Sequence, residues 1–206
     1  MKAGIRPFHV LITSRSLDFR GGVVNYVRSL LEHADSSLVQ FTHIEVAKAD
    51  VVSSGWRRPF EYLDSILRFG RAVRSARPDV VHLNPSLNPR SLPLHILLLF
   101  TAKVLGKPVF QFFHGWDHRV ALLMMNRTLV GRLLSWALQR ADCSSVLALD
   151  FRNQLIQAGW QDDCVQVLPL MIDVAKYQTP VANHAGQNPQ NGAFRVLFLS
   201  PSTQVS

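Results

Sequence analysis

The chain has 206 residues, 48% of them hydrophobic and 17% charged, and its Lys+Arg 22 against Asp+Glu 14 give a net charge of +8. That composition excludes global disorder, allows one generous domain or a domain plus part of a second, and suits an anionic partner. Cys143 and Cys164 form no Cys-x-x-Cys or Cys/His pattern, which argues against a disulfide framework or a structural zinc site and fits a reducing cytosol.

Short β-rich apolar runs alternate with longer helical patterns. Met1 to Thr13 has a basic start but too short an apolar stretch for a secretory signal, so Phe8 to Thr13 reads as a first strand. After a loop holding Arg20-Gly21-Gly22, Val23, Val27, Leu30 and Leu31 recur at helical spacing. A second strand is predicted at Val39 to Val46. A helix follows over Phe60 to Ala76, with Leu63, Ile66, Leu67, Phe69 and Val73 on its apolar side. Pro78 stops that helix, and Asp79 to Leu83 is a buried strand.

The beat then repeats. Leu92 to Val104 is an apolar helix closed by Gly106 and Pro108, and Val109 to Phe113 is a strand that breaks at His114-Gly115. A single long helix is expected over Val120 to Arg140. Cys143 to Leu149 then reads as a strand, Phe151 to Ala158 as a helix, and Cys164 to Leu168 as a strand ended by Pro169. This alternation predicts parallel βαβ units: an α/β fold with a doubly wound, mostly parallel sheet and helices on both faces. The longest uncharged apolar stretch, Ser91 to Ala102, falls well short of the roughly 20 residues that span a bilayer.

The composition changes at Thr179, and residues 179–193 read as a Pro-, Gly- and Asn-rich linker. Phe194 to Ser200 then looks like the first strand of a further domain. The expected organisation is a domain over 1–178, the linker, and the opening strand of a second domain over 194–206.

The order of motifs resembles the N-terminal, acceptor-side domain of a GT-B glycosyltransferase of the retaining group 1 (family four) kind. The features that carry the resemblance are Gly21-Gly22-Val23, Pro78-Asp79-Val80-Val81-His82, His114-Gly115, Ala141-Asp142, Phe151-Arg152 and Val165-Gln166-Val167-Leu168-Pro169 leading to Ile172-Asp173. Pro169-Leu170-Met171-Ile172-Asp173 departs from the family's common Pro-Asn-Gly-Ile-Asp, and Ala148 stands where the family often has Ser.

The resemblance implies a Rossmann-like half of a GT-B architecture. It implies an enzyme that moves a sugar from a nucleotide-sugar donor to a polysaccharide, lipopolysaccharide or glycolipid acceptor with retention. It also implies that no metal or other cofactor is required, and that the groups holding the donor diphosphate lie in the second domain. A chain limited to the first domain is then expected to be inactive alone. The expected location is cytoplasmic, with a peripheral place at the inner face of the membrane left open by the basic segment from Arg57 to Arg74.

His114 lies just past a strand's C-terminal end, where open α/β sheets bind ligands. A histidine there can bond a sugar hydroxyl or shuttle a proton, and the matching family residue sits against the donor sugar. It is the expected catalytic residue, the alternative being a histidine that satisfies loop backbone. Gly21 and Gly22 open a helix whose N–H groups can face a phosphate or a sugar; an ordinary βα turn uses the same residues. With Gly115 and Asp117 they form the expected donor- and substrate-binding set. Asn25, Tyr26, Asn84 and Arg90 are candidates for acceptor binding, and His82 reads as a core histidine. His114, Asp117 and His118 lack the helical spacing and ligand number of a metal site, so no metal is expected.

Arg57, Arg58, Arg68, Arg71 and Arg74, with Trp56, Phe60 and Tyr62 beside them, suit either an anionic membrane surface or a solvated helix face. A second function class therefore stays open: a non-catalytic basic α/β module that binds such a surface or a partner protein. Without a helix-turn-helix, RNP-like strand or zinc finger, no nucleic-acid partner is expected.

Overall fold

A computed structural model describes residues 6–46 and 58–170. Arg57, the boundary expected at 178, the linker at 179–193 and the strand at 194–200 lie outside the described residues. In chain order the elements are β1 (Phe8–Ser14), α1 (Gly22–His33), β2 (Val39–Glu45), α2 (Arg58–Ala76), β3 (Val80–Leu83) and β4 (Ser86–Leu87). There follow α3 (Leu92–Val104), β5 (Val109–Phe113), β6 (Gly115–Trp116), α4 (His118–Met125), α5 (Leu129–Leu138), β7 (Cys143–Val146), α6 (Leu149–Gln157) and β8 (Val165–Val167).

Six strands form one parallel sheet in the order β2-β1-β3-β5-β7-β8, as the alternating pattern predicts. The chain leaves β1 toward β2 and returns to the other side of β1 at β3. The strand order therefore reverses between β1 and β3, and open α/β sheets bind ligands above such a point.

Successive strand residues point to opposite faces, so the sheet builds two cores. Leu11 joins Phe69 and Val73 of α2 and Leu98 and Leu99 of α3. Its neighbour Ile12 joins Tyr26 and Val27 of α1 and Phe112 of β5 on the other side. Phe113 extends the first side toward Val120, Met124, Leu138 and Leu155. Each such fully buried side chain contributes about 1.5–3 kcal/mol relative to exposure, so burial on both faces accounts for strands that read as unbroken apolar runs.

The long helix expected over Val120 to Arg140 is instead two helices. Arg127 adopts a left-handed backbone (φ 50), and Thr128 caps the new helix by accepting from Gly131 N at 3.0 Å. Thr128 Oγ1 also donates to Leu123 O at 3.0 Å, closing the corner. The two helices touch at Gly131, where a Cβ would lie 1.9 Å from Leu123 O.

Two strands are shorter than expected. The one begun at Cys143 ends at Val146, because Ala148 becomes the extended cap of α6 and Asp150 sits in that helix's first turn. The last described strand keeps only Val165–Val167, since Asp162–Cys164 form a 3-10 turn.

Candidate functional site

Three strands of the sheet end together at the reversal point, and their last residues are tied to one another. Asn84, buried just past β3, donates from Nδ2 to the carbonyl O of Thr13 in β1 at 2.8 Å. Its Oδ1 lies 2.9 Å from Nε2 of His114, the residue that follows β5. Because the amide NH2 is spent on Thr13, the oxygen faces His114 and must accept. Nε2 therefore carries the proton, and the lone pair of the neutral ring resides on Nδ1. Nδ1 is enclosed and has no hydrogen-bond partner among the described residues.

Aromatic walls complete the enclosure. The His114 ring lies 4.8 Å from Tyr26 of α1 and 4.3 Å from Phe112. Burial holds the His114 pKa down to about 4, so the ring is neutral at physiological pH. Burial likewise pushes the Tyr26 phenol up to about 12 and keeps it protonated. His82, one strand away, is brought to about 3 by burial, then by the nearby His114; it is the core histidine expected.

The α1 end faces this cluster through Tyr26. Gly21 is extended (φ 178), and neither it nor Gly22 has a left-handed φ. A Cβ at Gly21 would make ordinary contact with Phe19 at 3.7 Å, and one at Gly22 would meet nothing within 4 Å. Neither backbone conformation nor packing therefore requires glycine at these two positions. Among the described residues, no side chain caps the α1 N-terminus and its first turn holds no acidic residue, so its first N–H groups and the positive end of its dipole meet no partner there.

Gly115 is different. It pairs with Ser86 in the two-stranded β4-β6 ribbon, and a Cβ there would come within 2.7 Å of Ser86 Oγ. The ribbon holds the chain after His114 against the chain after Asn84. Asp117 caps α4, its Oδ1 accepting from Arg119 N at 2.9 Å, so its carboxylate is engaged by the fold.

The structure thus brings together His114, Asn84, Tyr26 and Gly115, with Gly21 and Gly22 at the head of the helix that carries Tyr26. Asn25 is exposed on that helix, 3.5 Å from Arg28 Nη1. Arg90 is exposed in the loop before α3, with its carbonyl accepting from Tyr62 OH, and has no described contact with the cluster. Of the arginines considered for a membrane surface, Arg58 opens α2, Arg68 pairs with Asp64 at 2.9 Å, and Arg71 and Arg74 are exposed.

Two features escaped the sequence reading. Thr13 contributes a backbone carbonyl, which no residue type signals. Trp116 stacks on Phe151 at 4.4 Å and 8° while its Nε1 donates to Gln154 Oε1 at 3.0 Å, fixing the chain beyond His114 to α6; the aromatic next to His114-Gly115 was the available signal. Among the described residues, no group of three His, Cys, Asp or Glu could hold a metal, and no helix is long and apolar enough to cross a membrane.

Residues 21–171 match the glycosyl transferase 4-like domain. Among solved structures, UDP-N-acetylglucosamine 2-epimerase from Rickettsia bellii is similar at 12% identity and a TM-score of 0.51, over 79% of this chain and 44% of that one. Anabaena HepE in complex with UDP and glucose is similar at 10% identity and a TM-score of 0.48, over 83% of this chain and 47% of that one. The chain thus spans less than half the length of either structure. No curated protein matches it by sequence.

Proposed function

The chain belongs to the family of glycosyl transferase 4-like domains, and from that membership we propose that it forms the acceptor-side half of a nucleotide-sugar-dependent glycosyltransferase. The sugar goes from a nucleoside-diphosphate donor, with retention of anomeric configuration, to a polysaccharide, lipopolysaccharide or glycolipid acceptor. The observation that carries this reading is the open α1 N-terminus at Gly21-Gly22, at the end of the sheet where Asn84 holds His114.

In this reading the glycines let an anionic or hydroxyl-rich ligand approach the free N–H groups of α1 without a side chain in the way. His114, neutral and protonated on Nε2, offers Nδ1 as an acceptor. A sugar hydroxyl that displaces the cover of Nδ1 gives that enclosed nitrogen its missing hydrogen bond, and leaving it unmade costs about 1–3 kcal/mol. Asn84 acts as a positioning residue, because it sets which nitrogen of His114 is free.

The test is sugar transfer by the intact protein that carries this domain. Purified protein is offered a panel of nucleotide sugars with a lipid-linked glycan acceptor, and the anomeric coupling of the product is read by NMR. Retained configuration and a loss of at least about tenfold in kcat/KM for His114→Ala, on the usual scale for a positioned acid–base or hydrogen-bonding group, support the proposal. Transfer at an unchanged rate in that variant, or inversion, overturns the role or the stereochemistry respectively.

A further inference from the structure

A groove of about 520 Å³ opens on the outer side of α5 and the end of α6, lined by Arg127, Arg132, Trp136, Gln139, Arg140 and Gln161 with Ser135, Ala158 and Gly159 at its floor. In a βαβ unit the helix runs back against the strand direction. The end of α6 at Gly159 therefore lies toward the rim opposite His114.

The charge of the groove is one-sided. No acidic residue occurs between Arg119 and Ala141, and no carboxylate is among the groove's lining residues. Among the described residues, none of its three guanidiniums is in an ion pair; the pairs made by Arg6, Arg68 and Arg152 lie elsewhere. Arg140 instead lies over the Trp136 ring at 4.6 Å. Arg127, at the left-handed corner between α4 and α5, brings its Nη2 3.3 Å from where a Cβ of Gly159 would stand. Like charges gathered in one concavity repel unless an anion shares it.

We propose that this groove is a second binding site, distinct from the strand-end cluster, that takes a phosphate group through Arg127, Arg132 and Arg140. Planar guanidiniums match phosphate oxygens in pairs; Gln161 adds a neutral amide to the lining, and Gln139 Nε2 donates to Ser135 Oγ at 2.9 Å with its second N–H left for a ligand. Trp136 (52% exposed), with Leu129 and Leu133 on the same outer side of α5, provides an apolar border for whatever carries the phosphate. That carrier is either a soluble phosphorylated molecule or a lipid headgroup; the recognition chemistry is the same.

The experiment uses the intact protein and four probes: inorganic phosphate, inorganic pyrophosphate, phosphatidylglycerol vesicles and phosphatidylcholine vesicles. Binding is measured by titration calorimetry for the ions and cosedimentation for the vesicles, at low and high salt. The triple variant Arg127→Gln/Arg132→Gln/Arg140→Gln is compared with Arg71→Gln/Arg74→Gln/Arg77→Gln, which removes equal charge from α2 and the residue that follows it. Circular dichroism checks that both variants stay folded.

The expected result is binding of a phosphate-bearing probe that weakens at least about tenfold in the groove variant and changes little in the α2 variant. Binding of the ions as well as the anionic vesicles identifies a soluble phosphate source, and binding of anionic vesicles alone identifies a headgroup. If no phosphate-bearing probe binds, or both variants lose binding equally, the groove is not a phosphate site.

Discussion

Nε2 of His114 and Oδ1 of Asn84, 30 positions apart in sequence, meet at 2.9 Å above the sheet, and the other end of the same Asn84 amide holds Thr13 O at 2.8 Å. One buried side chain thereby assigns the histidine tautomer. Asn84→Ala strands a buried N–H and a buried carbonyl and is expected to cost about 1–3 kcal/mol of stability. It should also lower kcat more than it raises KM and move the pH–rate profile, because the ring is then free to flip. A variant with reduced stability but an unchanged pH profile would make Asn84 purely structural.

Gly22→Ala separates folding from function. With no atom within 4 Å of the added Cβ and no left-handed φ, the fold tolerates the methyl group. Loss of backbone freedom in the unfolded chain should leave stability unchanged or raise it by about 0.4–1 kcal/mol. Donor affinity should nevertheless fall. A variant equal to wild type in both thermal melting and nucleotide-sugar binding would remove the α1 N-terminus from the site.

Gly131→Ala is the opposite case. Its Cβ would sit 1.9 Å from Leu123 O, so the α4-α5 corner must open. Overpacking of this kind costs typically about 1–3 kcal/mol, and backbone contact puts this position at or above the upper end. Thr128→Ala, which removes the α5 cap, should cost about 1 kcal/mol. Urea melts of the two variants give the order directly.

Stability should fall on mild acidification. Burial lowers His82 to about 3 and His95 and His114 to about 4, each from 6.5. The unfolded chain therefore takes up protons on these rings that the native state refuses. The stabilising contribution is fully present above pH 6.5 and is lost as the pH drops toward 4. The unfolding free energy from urea melts should decline steeply through that window. His95→Leu, which replaces a ring whose enclosed Nδ1 has no partner, should make the decline shallower by one proton.

Much of the fold was legible because its signals are local. Alternating apolar runs and helical periods located every strand of the main sheet, Gly21-Gly22 marked the start of α1, and His114-Gly115 marked the end of β5. The break between α4 and α5 was hidden because Met124 to Leu129 keeps enough apolar residues to sustain a helical period. Only the left-handed Arg127 and the Thr128 cap reveal the corner. Asp117, expected in the donor- and substrate-binding set, also caps α4 through Oδ1, a role that its place before a helix start makes equally available. The alliance of Thr13, Asn84 and His114 depends on strand order, and strand order is not written in any one segment.

That alliance makes the site a witness to the assembly of the sheet's centre. Asn84 lies 71 positions from Thr13 and 30 from His114, so its two hydrogen bonds exist only when β1, β3 and β5 are aligned side by side. Parallel neighbours far apart in sequence meet late, after long loops have closed. A chain in which these three strands are not aligned has no fixed imidazole, whatever helices it holds. Recovery of the neutral, Nε2-protonated His114, followed by its NMR resonances during refolding, would time the alignment of β1, β3 and β5 more sharply than any measure of helix content.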